Sequence, residues 1–194
     1  IGPNRVGPWG LLQSTADMLK LLTKEDIIPH GVDRWMWVLS PILIFIPAAM
    51  VYALYPFDDG VIFADVNIGL FLLIAISSQS VLPFLMGGYA SNSKYAMLGG
   101  MRTVAQMLSY EVPMVIALMG IVMITGSLKM SAIVEAQSNI WFIFLQPIAF
   151  LIFMVTCLVE SNRPPFNMVE GESEIIAGPF TEYTGMRWAL FFLA

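Results

Sequence analysis

The chain has 194 residues, of which 58% are hydrophobic and only 12% charged, about half the charged share of an ordinary soluble domain. Nine basic against fourteen acidic side chains leave a net charge of −5, which excludes a nucleic-acid binder in need of a basic face. One cysteine, Cys157, and one histidine, His30, cannot build a disulfide framework or a Cys/His metal site, and a mean hydropathy of +0.77 suits lipid better than water.

The first segment, 1–34, carries an amphipathic helix rather than a span. Between Trp9 and Lys24, polar Gln13, Asp17, Lys20 and Lys24 follow a helical repeat, while Leu11, Leu12, Ala16, Leu19 and Leu22 occupy the other face. Such a helix either lies in the membrane interface or plugs a protein groove, and the residues leave both open. Charge-free runs then follow at 35–57, 66–93 and 136–159, each longer than the roughly twenty residues a spanning helix needs. A further span at about 103–126 is interrupted by a single charge, Glu111. The expected fold is therefore all-α: a polytopic transmembrane bundle with spans at about 35–57, 66–90, 103–126 and 136–160. The start of a fifth lies at 187–194. Prolines 41, 47, 83, 113 and 147 fall inside these runs, where neighbouring helices re-satisfy freed backbone groups.

Basic residues set the orientation. Arg5, Lys20, Lys24, Arg34, Lys94, Arg102, Arg163 and Arg187 fall on one side under strict alternation, and Lys129 alone on the other. The positive-inside rule places 1–34, 90–102 and 160–187 in the cytoplasm. Absence of an initiator methionine or a signal pattern, and a closing apolar run too short to span, lead us to expect an internal piece of a longer subunit, 1–194 forming one membrane domain.

Two charged constellations carry chemistry. Glu111 lies nine residues after Arg102, about 13 Å into its helix, where a carboxyl group is costly and points to a cavity or relay. The plainer alternative is a neutral acid that ties helices together. The loop from Glu160 to Glu174 holds Arg163, Pro164-Pro165 and the carboxylates Glu170, Glu172 and Glu174, with Glu182 beyond. Crowded carboxylates make their protonation interdependent, although an acidic loop can also be merely solvated. His30 has no partner spacing, Cys157 reads as a small packed hydrophobe, and Ser161 and Ser173 lack a histidine, so no catalytic residue is assigned. Gly87-Gly88 and Gly99-Gly100 do not form a phosphate loop, and no metal site is expected. These residues alone fit a proton-linked transporter and a redox-coupled pump component equally.

Three motifs resemble one family. They are Gly2 to Gln13 with Ala16-Asp17 and Lys20; Ala90 to Ala96 with Arg102, Ala105-Gln106 and Ser109-Tyr110-Glu111-Val112; and Glu160 to Glu174 with Glu182-Tyr183 and Ala189 to Phe192. In this order they are similar to the H subunit of NADH-quinone oxidoreductase, the first mitochondrially encoded subunit of respiratory complex I. The resemblance covers essentially the whole chain. It implies about eight membrane helices in the full-length polypeptide and a place on the membrane side of the quinone tunnel. Flavin mononucleotide and iron–sulfur clusters are then held in partner subunits, with quinone bound as substrate at the interface. The partners implied are the other hydrophilic and membrane subunits, quinone and the bilayer, in a prokaryotic cytoplasmic membrane or an inner mitochondrial membrane.

By motif, Asp17, Arg102, Arg163 and Phe192 would line the quinone tunnel. Glu170, Glu172, Glu174 and Glu182 would form the loop that responds to quinone reduction, and Glu111 and Glu160 would start the proton route. Asn167 stands where the family commonly has Asp, and Pro179 separates Gly178 from the aromatic Phe180. The runner-up reading is a relative in the same superfamily, fed by reduced deazaflavin or ferredoxin, or belonging to a membrane-bound hydrogenase. A stand-alone proton-linked transporter is the alternative from another class.

Overall fold

A computed structural model describes residues 2–57, 62–162, 165–167 and 178–193. Among these every regular element is helical, and the chain is a membrane helix bundle. Three helical stretches, Arg34–Tyr52, Gly69–Ala90 and Lys94–Thr125, are long and apolar enough to cross a membrane, and only a minority of their residues are buried. Many of the others are exposed, among them Trp35, Phe71, Leu82 and Met123, as expected where the solvent is lipid.

Helix α1 (Gln13–Thr23) is amphipathic but starts later than the sequence repeat, because the residues before it leave helical space. Gly7, Trp9 and Gly10 all have φ between 59° and 78°, so the chain turns three times before a helix can propagate. Leu11, Leu12, Leu19 and Leu22 remain exposed. Helix α2 (Arg34–Tyr52) is capped by Asp33, whose carboxylate accepts from the Trp35 amide at 3.3 Å.

The second span is pinched into α3 (Gly69–Ser78) and α4 (Val81–Ala90). Pro83 has no amide proton to return to the Gln79 carbonyl, which instead takes the Leu82 amide at 3.3 Å in a tighter turn. Helix α5 (Lys94–Thr125) has 32 residues and is about 48 Å long, well beyond a hydrocarbon core of about 30 Å. It begins nine residues before the expected span and ends on Gly126 in the left-handed region, whose amide closes on the Val122 carbonyl at 2.8 Å.

The run at 136–160 differs most from expectation. Residue 136 closes a short helix α6 (Met130–Ala136), and a turn separates it from α7 (Phe142–Leu145) and α8 (Pro147–Glu160). Gln146 leaves helical geometry at φ −135° and ψ 65°, as expected of a residue before proline. Its side-chain amide donates to the Gly120 carbonyl of α5 at 3.0 Å, which pins the interruption to the bundle. A final helix α9 (Gly185–Leu193) follows the tight turn Gly178–Phe180.

Two apolar clusters hold the bundle. One gathers Trp37, Ile44, Phe84, Met107, Phe180, Tyr183 and Phe191; the other gathers Leu70, Met114, Leu118, Ile133 and Phe142. The double glycines serve close packing. A Cβ on Gly88 would meet the Ala96 carbonyl oxygen at 2.8 Å, and one on Gly99 would meet the Gly178 Cα at 2.5 Å. Connections alternate between ends: the Asp33 amide bonds to the Ala90 carbonyl at 3.3 Å at one, and the Leu70 amide to the Leu128 carbonyl at 2.9 Å at the other.

Candidate functional site

Glu111 and Glu160, expected to start a proton route, line one small cavity. It lies where α3 gives way to α4 against α5 and α8, and Ser77, Ser78, Ser80, Tyr110 and Thr156 are its other polar wall residues. Val81, Met107, Met114 and Val159 complete it. At about 20 Å³ it has room for roughly one water. Glu111 is half-buried on α5, one residue after Tyr110, and the Ser78 hydroxyl donates to its Oε1. Glu160 is the last residue of α8, also half-buried. Two carboxyl groups thus line one small cavity whose other polar walls are hydroxyls.

The beginning of the long loop docks one turn away. Gln106 donates to the Phe166 carbonyl at 3.0 Å, and the Phe166 ring meets Tyr110 at a centroid distance of 6.0 Å. The far end of that loop packs tightly too. Phe180 reaches Phe84 at 5.6 Å and Phe191 at 5.0 Å, so the aromatic after Pro179 is a core residue. Tyr183 stacks face to face on Trp37 at 3.7 Å. Burial pushes its phenol above the ordinary value, with the nearby Ser40 hydroxyl and Arg187 acting in the opposite sense, so the group stays neutral.

A second cavity, about 210 Å³, separates α1 from α9 and is lined by Leu21, Lys24, Tyr183, Thr184, Gly185 and Trp188. Arg187 pairs with Asp26 at 3.1 Å, and the Ile27 amide donates to the Thr184 hydroxyl at 3.0 Å, holding its walls together. Of the residues expected at a quinone tunnel, Phe192 stacks on the lining Trp188 at 5.0 Å. Asp17 sits on exposed α1, accepting from Gln13 at 3.0 Å. Arg102 is half-buried on α5, and Glu182 is half-buried beside the Tyr183 stack. Arg163, Glu170, Glu172 and Glu174 lie outside the described residues. The structure thus brings Glu111 to Glu160 and sets Phe192 beside the α1–α9 cavity; Asp17 and Arg102 line neither cavity.

The NADH dehydrogenase family profile matches residues 1–194, the full chain. The chain belongs to that family. It is 53% identical over 194 residues to the NADH-quinone oxidoreductase H subunit of Carboxydothermus hydrogenoformans, covering 55% of that protein. It is 52% identical to the same subunit of a Geobacillus species (strain WCH70), covering 58% of it, and 52% identical to that of Anoxybacillus flavithermus, covering 59%. The chain therefore spans somewhat more than half the length of these NADH dehydrogenase family relatives, each matched across the whole chain.

Sequence reasoning missed the serines of the first cavity. Ser77, Ser78 and Ser80 form a polar patch inside a charge-free run, which is the one sign the sequence offered.

Proposed function

We propose that this chain is part of the H subunit of a proton-pumping NADH-quinone oxidoreductase, that it helps form the quinone passage, and that it couples quinone reduction to proton translocation. The observation that carries the coupling role is the shared Glu111–Glu160 cavity within the bundle. Reducing a quinone consumes protons, and neighbouring carboxyl groups whose protonation is interdependent relay such a change. The α1–α9 cavity supports the quinone passage: it is apolar on Leu21 and Trp188 and polar on Lys24 and Thr184, a mixture suited to a ring with carbonyl groups.

In this reading Asp17, Arg102, Arg163 and Phe192 border the quinone path. Glu170, Glu172, Glu174 and Glu182 respond to its reduction, and Glu111 and Glu160 begin the proton route. Electrons arrive from flavin and iron–sulfur partner subunits, and the end that carries Arg34, Lys94 and Arg102 faces the cytoplasm of a bacterium. The test is isolation of the full-length protein from native membranes with its partners. Inhibitor-sensitive NADH:quinone activity in the isolate, and loss of proton translocation in Glu111→Ala at unchanged quinone affinity, are expected. A lone protein that moves protons without a redox partner would overturn the reading.

A further inference from the structure

Among the described residues, Ser78 is the hydroxyl that touches Glu111, and it has two acceptors for one proton. Its Oγ donates to the Ile74 carbonyl at 2.8 Å and to Glu111 Oε1. A hydroxyl can donate only once at a time, but it also accepts. The neighbouring Ser77 hydroxyl reaches the same Ile74 carbonyl at 2.9 Å, so that carbonyl keeps a side-chain donor whichever way Ser78 turns. From α8, the polar groups on this cavity are Thr156 and Glu160; Thr156 is committed to the Phe153 carbonyl at 2.8 Å. Tyr110 is the titratable neighbour on Glu111's own helix, and the α3–α4 stretch presents serines as its polar groups there.

We propose that Ser78 is a positioning residue whose hydroxyl reverses direction with the charge of Glu111. When Glu111 is a carboxylate, Ser78 donates to Oε1. When Glu111 is protonated, its O–H donates to Ser78 Oγ, and Ser78 turns its own proton to the Ile74 carbonyl. Both states of a deep carboxyl group are then hydrogen-bonded at little cost in rearrangement. A donor-only partner would favour the charged form, and an apolar neighbour would leave either form unsatisfied. The proposal rests on Glu111 changing charge during turnover, as in the function proposed above.

The experiment is made in the intact complex in native membranes, with complex content measured for every variant. Ser78→Ala is expected to lower coupled proton translocation about tenfold or more at unchanged KM for quinone, the cost of a lost hydrogen bond to a charged group. Ser78→Thr keeps the hydroxyl and is expected to restore most of it. In a Glu111→Gln background, Ser78→Ala is expected to add nothing, because the partner that needs reversal is gone. Should the alanine variant fail to assemble, Ser78→Cys takes its place, with similar volume but a weak donor. Full coupled turnover in Ser78→Ala, equal loss in the alanine and threonine variants, or an undiminished effect in the Glu111→Gln background would each overturn the proposal. Wild-type coupling in Glu111→Gln alone would instead overturn the proton-route reading beneath it.

Discussion

The loop end of the bundle and its interior handle charge in opposite ways. At one end Lys129 meets Asp65 at 2.8 Å, and the Ser131 hydroxyl adds bonds of 3.2 and 3.3 Å to the same carboxylate. Opposite charges close a loop junction there, both partners partly open to solvent. Deeper in the bundle, where α3 gives way to α4, Glu111 and Glu160 share a cavity whose remaining polar side chains are hydroxyls. A paired ion is locked in one state. A carboxyl group held by hydroxyls, which donate and accept, is free to change state. A carboxyl group serves as a staple at the loop end and as a candidate proton carrier in the interior, and the partners make the difference.

The comparison breaks most decisively at Glu111. Glu111→Ala is expected to cut coupled proton translocation about a hundredfold while the complex assembles, measured as proton uptake against quinone reduction in sealed vesicles. Next comes Gly99→Ala. Its new Cβ would lie 2.5 Å from the Gly178 Cα, backbone against backbone, so we expect a cost of about 1–3 kcal/mol and less assembled complex on native gels. Glu160→Gln should lower coupled turnover less than Glu111→Ala, since Glu160 stands at the helix end and not within it.

The smallest effect is expected at the staple. Asp65→Asn should leave quinone reduction and coupling unchanged and only slightly lower the melting temperature. The bond to Asp65 and its negative charge raise the Lys129 ammonium above its ordinary value. That contribution is present below the ordinary lysine pKa and fades as pH rises through the raised one, so wild type and Asp65→Asn should converge in stability only in strongly alkaline buffer.

Much of this was legible beforehand. Charge-free runs announced the bundle, and the alternation of Lys94 and Arg102 against Lys129 announced which loops share an end, because bilayer thickness and charge cost act on composition alone. Breaks inside the runs were not legible. Pro83 and Pro147 were visible, but a proline in a membrane helix is often absorbed, and only packing decides that Gln146 unwinds and bonds to Gly120. Glu111 stood out because a lone carboxyl group in an apolar run has few explanations. Ser78 did not, since a serine in such a helix usually bonds back to its own carbonyl four residues earlier, and its second acceptor comes from a helix distant in sequence. The double glycines gave no chemistry, and their use is the close approach of α4, α5 and the Gly178 turn.

The most direct test is infrared difference spectroscopy of the intact complex, with NADH driving quinone reduction, in wild type and Glu111→Gln. The account predicts a change in the carboxylic-acid carbonyl band on quinone reduction that disappears in the variant. The same band change in both proteins would contradict it, because Glu111 would then keep its charge throughout turnover.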